Sequence, residues 1–354
     1  MYMKKIIDFF EKFFSVKNEC NNYDNGDKIK IFTVFGIGIR IKINPKLTKN
    51  EIKMLKKYCA VKKLKTINKE QVLSKIENMK GSGILSEEKQ RTPRLTVSLT
   101  SYPERMYDIH YCIYSLLSQS CKPDKIILWL SEEQFPGKEE DIPVKVKALK
   151  EFGLTIKWCK DLKSYKKLIP VLKEYPEDII VTADDDIYYE TGWLEKLYKN
   201  YDGKNILCHR AREIAFNGTG IASYMQWKYK SEEGEGTDDA SFFNFFTGCG
   251  GVLYPPDILH KDVLNDALFM TLSKTSDDLW FWAMAVLNNT KVKIVKNNIS
   301  SMTYINAERE LNMNDEQTLY QYNSAGGNDG QVASVLKYYP EILIKLHSEK
   351  EGSI

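Results

Sequence analysis

Three consecutive acidic residues follow a strongly apolar segment of the chain. Asp184, Asp185 and Asp186 come directly after the run Ile179–Ala183. Adjacent carboxylates repel one another and lose hydration beside a core, so a bound hard cation is a natural compensator. Mg²⁺ or Mn²⁺ would be held by one or two of these carboxylates and by the oxygens of a diphosphate, whose charge it would stabilise. The pattern predicts a metal and nucleotide site, although acids at strand ends are also found in solvated turns.

Two other acid-rich sites fit this spacing less well. An EF-hand loop starting at Asp184 would place Tyr188 at its fifth position and Tyr189 at its sixth, where glycine is required. A phosphotransferase with an Asp-x-Asp pair carries its nucleophile after the first strand of the domain, whereas these acids follow roughly the fourth predicted strand. The sequence therefore excludes the EF-hand and disfavours the phosphotransferase.

Basic residues precede the acids in the chain. Arg105 is predicted at a strand-to-helix junction, where a guanidinium can hold phosphate by two hydrogen bonds beside the free N–H groups of the helix start. Lys166 and Lys167 lie just upstream of the acidic strand and would help to neutralise a diphosphate. We expect only one of these two lysines to act, because lysines on helices are usually solvated. A solvated side chain is also the alternative for Arg105.

A glycine-rich segment, Thr247–Pro256, lies further along the chain. Glycine permits close approach of the backbone to a ligand, but the segment lacks the spacing of a phosphate-binding loop or of a dinucleotide site. A β-bulge with a tight turn is the alternative. Beyond it, Asp277 and Asp278 follow Thr275 and Ser276 at the start of a predicted helix. Helix capping alone explains acids at that position.

Strands and helices alternate from Arg94 onward. Such alternation indicates an α/β fold with a mostly parallel central sheet and flanking helices. Ligands of open α/β sheets bind at the carboxyl ends of the strands, where Thr100–Arg105 and the three acids are both expected. The predicted strands are Leu95–Leu99, Lys125–Leu130, Leu154–Trp158 and Asp178–Thr182, and the predicted helices cover residues 104–119, 143–152 and 164–174.

The first ninety residues differ in charge from the rest. They hold 20 Lys/Arg and 10 Asp/Glu, a net charge of +10 against +3 for the whole chain. The pattern predicts a small basic accessory region, 1–90, ahead of one large domain, 91–354. Within the accessory region it predicts an amphipathic helix over 2–14, a β-rich run over 28–43 and a Lys-rich helix over 48–79. The helix over 2–14 suits either a membrane interface or packing on its own domain.

Composition limits the class of protein. A chain of 354 residues, 43% of them hydrophobic, can bury a substantial core, and a net charge of +3 gives no indication of nucleic-acid binding. The seven cysteines form no C-x-x-C pair and fit a reducing cytosol. Apolar runs fall short of the roughly 18–20 residues that span a bilayer. We expect a cytoplasmic protein whose basic region contacts anionic lipid on the cytoplasmic face of the inner membrane.

Several motifs together resemble one known family. Val97–Arg105, Lys122–Trp129, Lys163–Pro170 before the acidic strand and the tail Gly327–Asp329 are similar to bacterial GT-A glycosyltransferases of the family-2-like type. The resemblance covers about residues 94–345. It extends more remotely to exostosin-type GT-A domains, through the order of acids, glycine-rich segment and Asp-Asp helix. It implies the GT-A fold of nucleotide-diphospho-sugar transferases.

The resemblance also implies roles for the acidic residues. Asp186 would coordinate the metal, Mn²⁺ or Mg²⁺, and Asp184 or Asp185 would assist it at the ribose or at a metal-bound water. Asp278, with Asp277 as second candidate, would contact the acceptor hydroxyl and act as general base in an inverting enzyme. A retaining enzyme would use Asp278 for positioning instead.

The resemblance further implies a nucleotide pocket and a function. Thr100, Tyr102 and Arg105 would hold the nucleotide, and Gly250 and Gly251 would floor the pocket of donor and acceptor. The implied function is metal-dependent transfer of a sugar from a nucleotide-sugar donor to a surface glycan or glycolipid, such as lipooligosaccharide or capsule. Two alternatives stay open. A sugar-phosphate nucleotidyltransferase would normally carry glycine in the loop after the first strand, which this chain lacks, and a glycan-binding protein would keep the fold without turnover.

Overall fold

The computed structural model describes residues 30–34, 37–41, 64–218, 220–230, 239–306, 309 and 326–352. The chain forms two compact units, Met1–Leu64 and Lys65–Ile354. In the first unit, strands β1 (Lys30–Val34) and β2 (Ile37–Ile41) pair antiparallel within the run predicted to be β-rich. The helix predicted over 2–14 and the stretch 48–63 lie outside the described residues.

The second unit contains the remaining described elements. Its strands are β3 (Lys65–Thr66), β4 (Leu95–Thr100), β5 (Lys125–Ser131), β6 (Leu154–Cys159), β7 (Ile179–Ala183), β8 (Ile206–Cys208), β9 (Ala211–Glu213), β10 (Phe216–Asn217), β11 (Gly220–Ile221), β12 (Lys228–Tyr229), β13 (Asn244–Phe246), β14 (Val252–Tyr254), β15 (Val292–Ile294) and β16 (Thr303–Tyr304). Its helices are α1 (Lys69–Glu77), α2 (Ile109–Leu117), α3 (Val144–Ala148), α4 (Ile169–Glu174), α5 (Trp193–Lys199), α6 (Asp266–Leu272), α7 (Asp277–Leu287), α8 (Asn328–Tyr338) and α9 (Glu341–Gly352).

A seven-stranded sheet with the order β15-β8-β14-β7-β4-β5-β6 forms the centre of this unit. Its neighbouring strands are parallel except at β14, which runs antiparallel between β7 and β8. The central strands are short, nearly continuous apolar runs, as expected of parallel strands covered on both faces. Along β5, Ile126 and Leu128 belong to one buried core and Ile127 and Trp129 to the other. The predicted α/β fold with a mostly parallel sheet and flanking helices is confirmed.

The direction of the connections creates a crevice between β4 and β7. From β4 the chain continues to β5 and β6 on one side, and it then returns to β7 on the other side of β4. Because successive connections leave the sheet in opposite directions there, the carboxyl ends of β4 and β7 border an open crevice in which α/β proteins bind ligands. The residues that follow are Ser101 and the three consecutive acids.

Two predicted helices are interrupted in the structure. The helix predicted over 104–119 begins with a 3-10 turn at Pro103–Arg105, and α2 starts only at Ile109. The helix predicted over 164–174 divides into a 3-10 turn at Lys163–Lys167 and α4. Pro170 accounts for the second break, because it lacks the N–H group that would bond back to the carbonyl of Lys166.

Helix α1 belongs to the second unit. Its Val72 is buried in the core that α2 also lines. The division of the chain in the structure therefore falls at Leu64, whereas the charge pattern placed it near residue 90. Within the described part of the chain, every helix is too short or too polar to cross a bilayer.

Candidate functional site

The backbone around the three acids is held by neighbouring segments. The N–H of Ile305 donates to the carbonyl of Asp186 at 3.0 Å, and the N–H of Tyr188 donates to the carbonyl of Thr303 at 2.8 Å. The N–H of Asp184 donates to the Tyr189 hydroxyl at 2.8 Å. Hydrogen bonds from two sides therefore fix the backbone of the turn after β7, which carries the three carboxylates.

The end of β4 supplies the partners of two acids. The Ser101 hydroxyl donates to Asp185 Oδ2 at 2.5 Å, and Arg105 Nη1 lies 2.8 Å from Asp185 Oδ1 and 2.7 Å from Asp186 Oδ2. The Arg105 Nε–H also donates to the Tyr102 hydroxyl at 3.1 Å. The structure thus brings Tyr102 and Arg105 to the acids, as their sequence positions indicated. Ser101, which the sequence analysis did not single out, is the additional partner.

Lys167 connects the acids after β7 with those at the start of α7. Its Nζ lies 2.8 Å from Asp184 Oδ1 and 3.0 Å from Asp277 Oδ2, and its side chain is 6% exposed. The Ser98 hydroxyl donates to the Lys167 carbonyl at 2.6 Å and fixes the backbone there. Burial opposes the charged form, but the nearby carboxylates raise the pKa of Lys167 well above its ordinary value. Lys167 is therefore a buried ammonium that holds carboxylates, and it is not positioned as an exposed diphosphate ligand.

Asp278 contacts the glycine-rich segment. The N–H of Gly248 donates to Asp278 Oδ2 at 2.8 Å. A Cβ at Gly248 would lie 2.6 Å from Asp278 Oδ1 and 2.8 Å from Lys167 Nζ, so any side chain at this position would displace one of these groups. Burial raises the pKa of Asp278 to about 7, against the opposing charge of Lys167 and with help from Asp277.

Gly250 and Gly251 serve the packing of a tryptophan. The Trp193 Nε1–H donates to the Gly250 carbonyl at 2.7 Å, and a Cβ at Gly251 would lie 2.4 Å from the Trp193 ring. Gly251 also has a φ of +90°, which disfavours any side chain. In the glycine-rich segment, close approach to the acids falls to Gly248, while the two glycines nominated from the sequence lie against Trp193.

Gly251 has no room for a side chain. Its replacement by alanine should lower the free energy of unfolding by about 2–5 kcal/mol, because the backbone strain and the clash with Trp193 act together. Gly330→Ala is the matched control, since its Cβ meets nothing within 4 Å inside α8. It should raise stability by about 0.5–1 kcal/mol. Urea denaturation followed by circular dichroism measures both, and equal stabilities for the two variants would contradict the packing described.

The polar groups of two other nominated residues bind partners other than the three consecutive acids. Lys166 Nζ lies 2.9 Å from Asp161 Oδ1 and donates to Gln134 Oε1 at 3.0 Å. Thr100 uses its hydroxyl to donate to the carbonyl of Trp129 at 2.8 Å. Of the two lysines, only Lys167 therefore contacts one of the three consecutive acids, and Thr100 fixes the end of its strand.

Arg309 lies close to this site and was not nominated from the sequence. Its Nη1 is 2.9 Å from Asp108 Oδ1. Burial opposes ionisation of Asp186, but the charge and hydrogen bond of Arg105, together with the charge of Arg309, lower the pKa of Asp186. Burial raises the pKa of neighbouring Asp185 to about 6. The adjacent carboxylates therefore differ in their tendency to ionise.

The donor set at Asp186 fits a hard cation. Asp186 Oδ1 is buried and has no hydrogen-bond partner, so this oxygen is available for coordination. Mg²⁺ typically takes one or two carboxylates and completes its shell with water and phosphate oxygens. No group of three or more His, Cys, Asp or Glu side chains arranged as metal ligands occurs among the described residues. An ion here would have Asp186 as its main protein ligand, because its Oδ1 is buried without a hydrogen-bond partner while its Oδ2 contacts Arg105.

Lys167 provides a second test of the site. Lys167→Met should destabilise the protein by about 2–4 kcal/mol, because it leaves two carboxylates that are only 28% and 11% exposed without their counterion. Lys199→Met is the control, since the exposed Lys199 pairs with Glu195 within one helix. Its loss should cost less than about 0.5 kcal/mol. Chemical denaturation measures the free energy of unfolding of both variants. A loss at Lys167 as small as that at Lys199 would show that the ion pairs of Lys167 do not stabilise the site.

Comparisons with known proteins give remote structural similarities. The S. aureus TarS fragment 1–349 matches with a TM-score of 0.39 and 14% identity over 69% of this chain and 70% of that chain, and the same fragment has been solved with UDP. The T. maritima inositol-1-phosphate CTP transferase matches with a TM-score of 0.37 and 12% identity over 67% of this chain and 98% of that chain. The 4-diphosphocytidyl-2C-methyl-D-erythritol synthase of Anaerococcus prevotii matches with a TM-score of 0.39 and 11% identity over 62% of this chain and 92% of that chain.

The comparisons do not assign the chain to a family. No family model and no curated protein matches the chain. The likeness to exostosin-type domains gains no support from the three structures and stays a prediction. With TM-scores below 0.4 and identities below 15%, the three structures do not assign this chain to a family.

Proposed function

We propose that this protein is a metal-dependent glycosyltransferase that uses a nucleotide-sugar donor. The observation that carries the proposal is the contrast between two carboxylates of one site. The pKa of Asp186 is lowered by Arg105 and Arg309 against its burial, and Asp186 presents a buried oxygen without a partner. The pKa of Asp278 is raised to about 7 by burial. When the environments of two carboxylates shift their pKa values in opposite directions, the two groups suit different roles. The one with the lowered pKa suits an ionised metal ligand, and the one with the raised pKa suits a proton acceptor.

The donor end of the site is assigned to the crevice between β4 and β7. Arg105 stands at the end of β4 with its guanidinium against the acids, where it can also hold a diphosphate oxygen. Tyr102 orients that guanidinium through its hydroxyl. Asp186 would hold Mn²⁺ or Mg²⁺. The ion, when bound, supplies charge stabilisation to the departing diphosphate.

The acceptor end is assigned to the start of α7. Asp278 removes the proton of the acceptor hydroxyl, and the oxygen forms a bond to the anomeric carbon as that carbon loses its bond to the diphosphate. A base with a pKa near the working pH is effective in such a step. Lys167 and the Gly248 N–H orient this end, since they hold Asp277 and Asp278 at 3.0 and 2.8 Å. The step is a single displacement and inverts the anomeric centre.

The acceptor and the location complete the proposal. The acceptor is a surface glycan or glycolipid assembled at the cytoplasmic face of the inner membrane. Residues 1–90, with a net charge of +10, would keep the protein near anionic lipid, where each lysine contributes about 1 kcal/mol. Co-sedimentation with vesicles tests this location. Equal binding to neutral vesicles and to vesicles rich in phosphatidylserine would remove the electrostatic argument.

Nucleotide release from a donor panel tests the activity. The full chain is incubated with UDP-, GDP- and CMP-sugars and a glycan fraction, in Mn²⁺, in Mg²⁺ and in EDTA. Metal-dependent release of one nucleotide is the expected result. Parallel reactions with nucleoside triphosphates and sugar 1-phosphates test the nucleotidyltransferase alternative, because that reaction releases pyrophosphate. Pyrophosphate release without turnover of any nucleotide-sugar would replace the glycosyltransferase by the alternative.

A further inference from the structure

Two arginines lie on the same side of β9 and share one tyrosine ring. Arg210 precedes the strand and Arg212 lies within it, two residues apart and therefore on the same face. The guanidinium carbon of Arg210 is 5.1 Å from the centroid of the Tyr229 ring, and that of Arg212 is 4.1 Å from the same centroid. The register of β12 on β9 causes this contact, since Tyr229 pairs directly with Arg212. Two like charges are thus gathered around a single ring.

Neither arginine has a carboxylate within ion-pair distance among the described residues. Arg212 is 6% exposed and donates to the Trp227 carbonyl and to the Tyr229 hydroxyl, both at 3.0 Å. Its Nε is buried without a hydrogen-bond partner. The Arg210 guanidinium donates to the Cys249 thiol at 3.0 Å, and a thiol is a weak acceptor.

The pair differs in this respect from the other cations of the site. Arg105 and Lys167 each contact two carboxylates, and Arg309 contacts Asp108. Buried charges are normally paired, because desolvation costs several kcal/mol per ion. Two neighbouring guanidinium groups that lack such a partner form a site that an anion would complete.

The pair borders the acceptor end of the proposed active site. Gly248 donates its N–H to Asp278, and the next residue, Cys249, contacts Arg210. The guanidinium carbon of Arg212 is 4.8 Å from the centroid of the Tyr224 ring. Burial raises the pKa of Tyr224, which the charge of Arg212 lowers and that of Asp278 raises further. Arg210 is therefore linked to the proposed base through two consecutive residues of the glycine-rich segment, Gly248 and Cys249.

We propose that Arg210, Arg212 and Tyr229 form an anion subsite that binds a carboxylate or phosphate group of the acceptor glycan. The two guanidinium groups give the donors for a bidentate contact with either group. Tyr229 is 51% exposed and offers its ring edge and face beside them. The assignment to the acceptor rests on the proposed function, but the presence of an anion subsite does not. The substrate class that follows is an acidic or phosphorylated glycan.

Anion binding to the full chain tests the subsite directly. Inorganic phosphate and glucuronate should raise the unfolding temperature in proportion to their binding, and glucose should not. Arg212→Gln should weaken phosphate binding by about tenfold or more, as expected for a lost charge-assisted contact. Its stability without phosphate should change little, because the removed charge has no carboxylate partner while its hydrogen bonds to Trp227 and Tyr229 are lost. A purely structural arginine would give the opposite pattern, with lower stability and an undiminished response to phosphate.

Further variants test whether Arg210 shares the phosphate response and whether acidic residues of the chain pair with the arginines. Arg210→Gln, at a less buried position, should also lose the response to phosphate, which keeps the test valid if Arg212→Gln does not fold. Glu232, Glu233 and Glu235 follow in the sequence, and a triple Gln variant asks whether acids of the chain itself are the partners. A response to phosphate that appears only in the triple variant would overturn the proposal.

Donor binding separates this proposal from the proposed function. Arg210→Gln should keep its affinity for the nucleoside diphosphate in the presence of metal, and it should lose preference for anionic over neutral acceptors. A loss of nucleotide affinity in this variant would overturn the assignment to the acceptor, because the arginines would then belong to the diphosphate site. If nucleotide-sugars do not react at all, the phosphate response of the unmodified chain still decides whether the anion subsite exists.

Discussion

Replacing Asp186 by asparagine is expected to lower kcat for nucleotide-sugar turnover by about 10²–10³-fold, the cost of losing one preorganised electrostatic contact with a developing charge. The asparagine would keep the size of the side chain but lose the negative charge that a divalent cation requires. The buried Oδ1, which has no hydrogen-bond partner, is the atom whose coordination is removed. Steady-state kinetics with the donor found in the panel measure the effect, in Mn²⁺ and in Mg²⁺.

Asp266→Asn is the matched control for that variant. It changes the same charge on the surface, where Asp266 pairs with Lys160 at the start of α6. Its kcat should stay within about twofold of the unmodified value, because exposed ion pairs contribute little. Equal kinetics for the Asp186 and Asp266 variants would contradict the role of Asp186 as metal ligand.

Asp278→Asn is expected to lower kcat by about 10²–10⁴-fold while the donor Kd stays nearly constant, which is the range of general acid–base catalysis. Asparagine can still accept the hydrogen bond from the Gly248 N–H, so the loop geometry is kept. What is lost is the ability to take the acceptor proton. Rapid-quench or steady-state measurements give kcat, and calorimetric titration of the nucleotide gives the binding constant.

Asp277→Asn separates the two acids at the start of α7. Asp277 contacts Lys167 at 3.0 Å, so its loss should affect stability more than the chemical step. We expect a smaller fall in kcat than in the Asp278 variant. The reverse order, with the larger loss at Asp277, would transfer the role of general base to Asp277 and contradict the assignment made from the structure.

The fold follows from local patterns that are strong in this sequence. Apolar runs such as Leu95–Thr100 and Ile179–Ala183 have the length of buried parallel strands, and both are strands in the structure. The rule that ligands gather at the carboxyl ends of such strands also put Thr100–Arg105 and the three acids at strand ends, and in the structure Arg105 contacts Asp185 and Asp186. These inferences succeed because they depend on the positions of the strands along the chain and on their parallel direction, which local apolar patterns and strand–helix alternation indicate.

The partners of the individual side chains were not predictable in the same way. Lys166 and Lys167 are equivalent by sequence, but the 3-10 turn that contains them directs Lys167 to Asp184 and Lys166 to Asp161. Lys167 and Asp277 are brought together by the sheet, across 110 positions of the chain. Gly248 could be distinguished from its neighbouring glycines only by the approach of Asp278. Such contacts depend on tertiary packing, for which one sequence has no periodic signal.

Calorimetric titration with nucleoside diphosphates measures whether Asp186 belongs to a metal–nucleotide site. The full chain is titrated with UDP, GDP and CDP in Mn²⁺ and in EDTA, and the Asp186→Asn variant is titrated in the same way. One diphosphate is expected to bind in Mn²⁺, and its affinity is expected to fall by at least about tenfold in EDTA and in the variant. Equal affinity with and without metal, or an undiminished affinity in the variant, would contradict a metal–nucleotide site at Asp186.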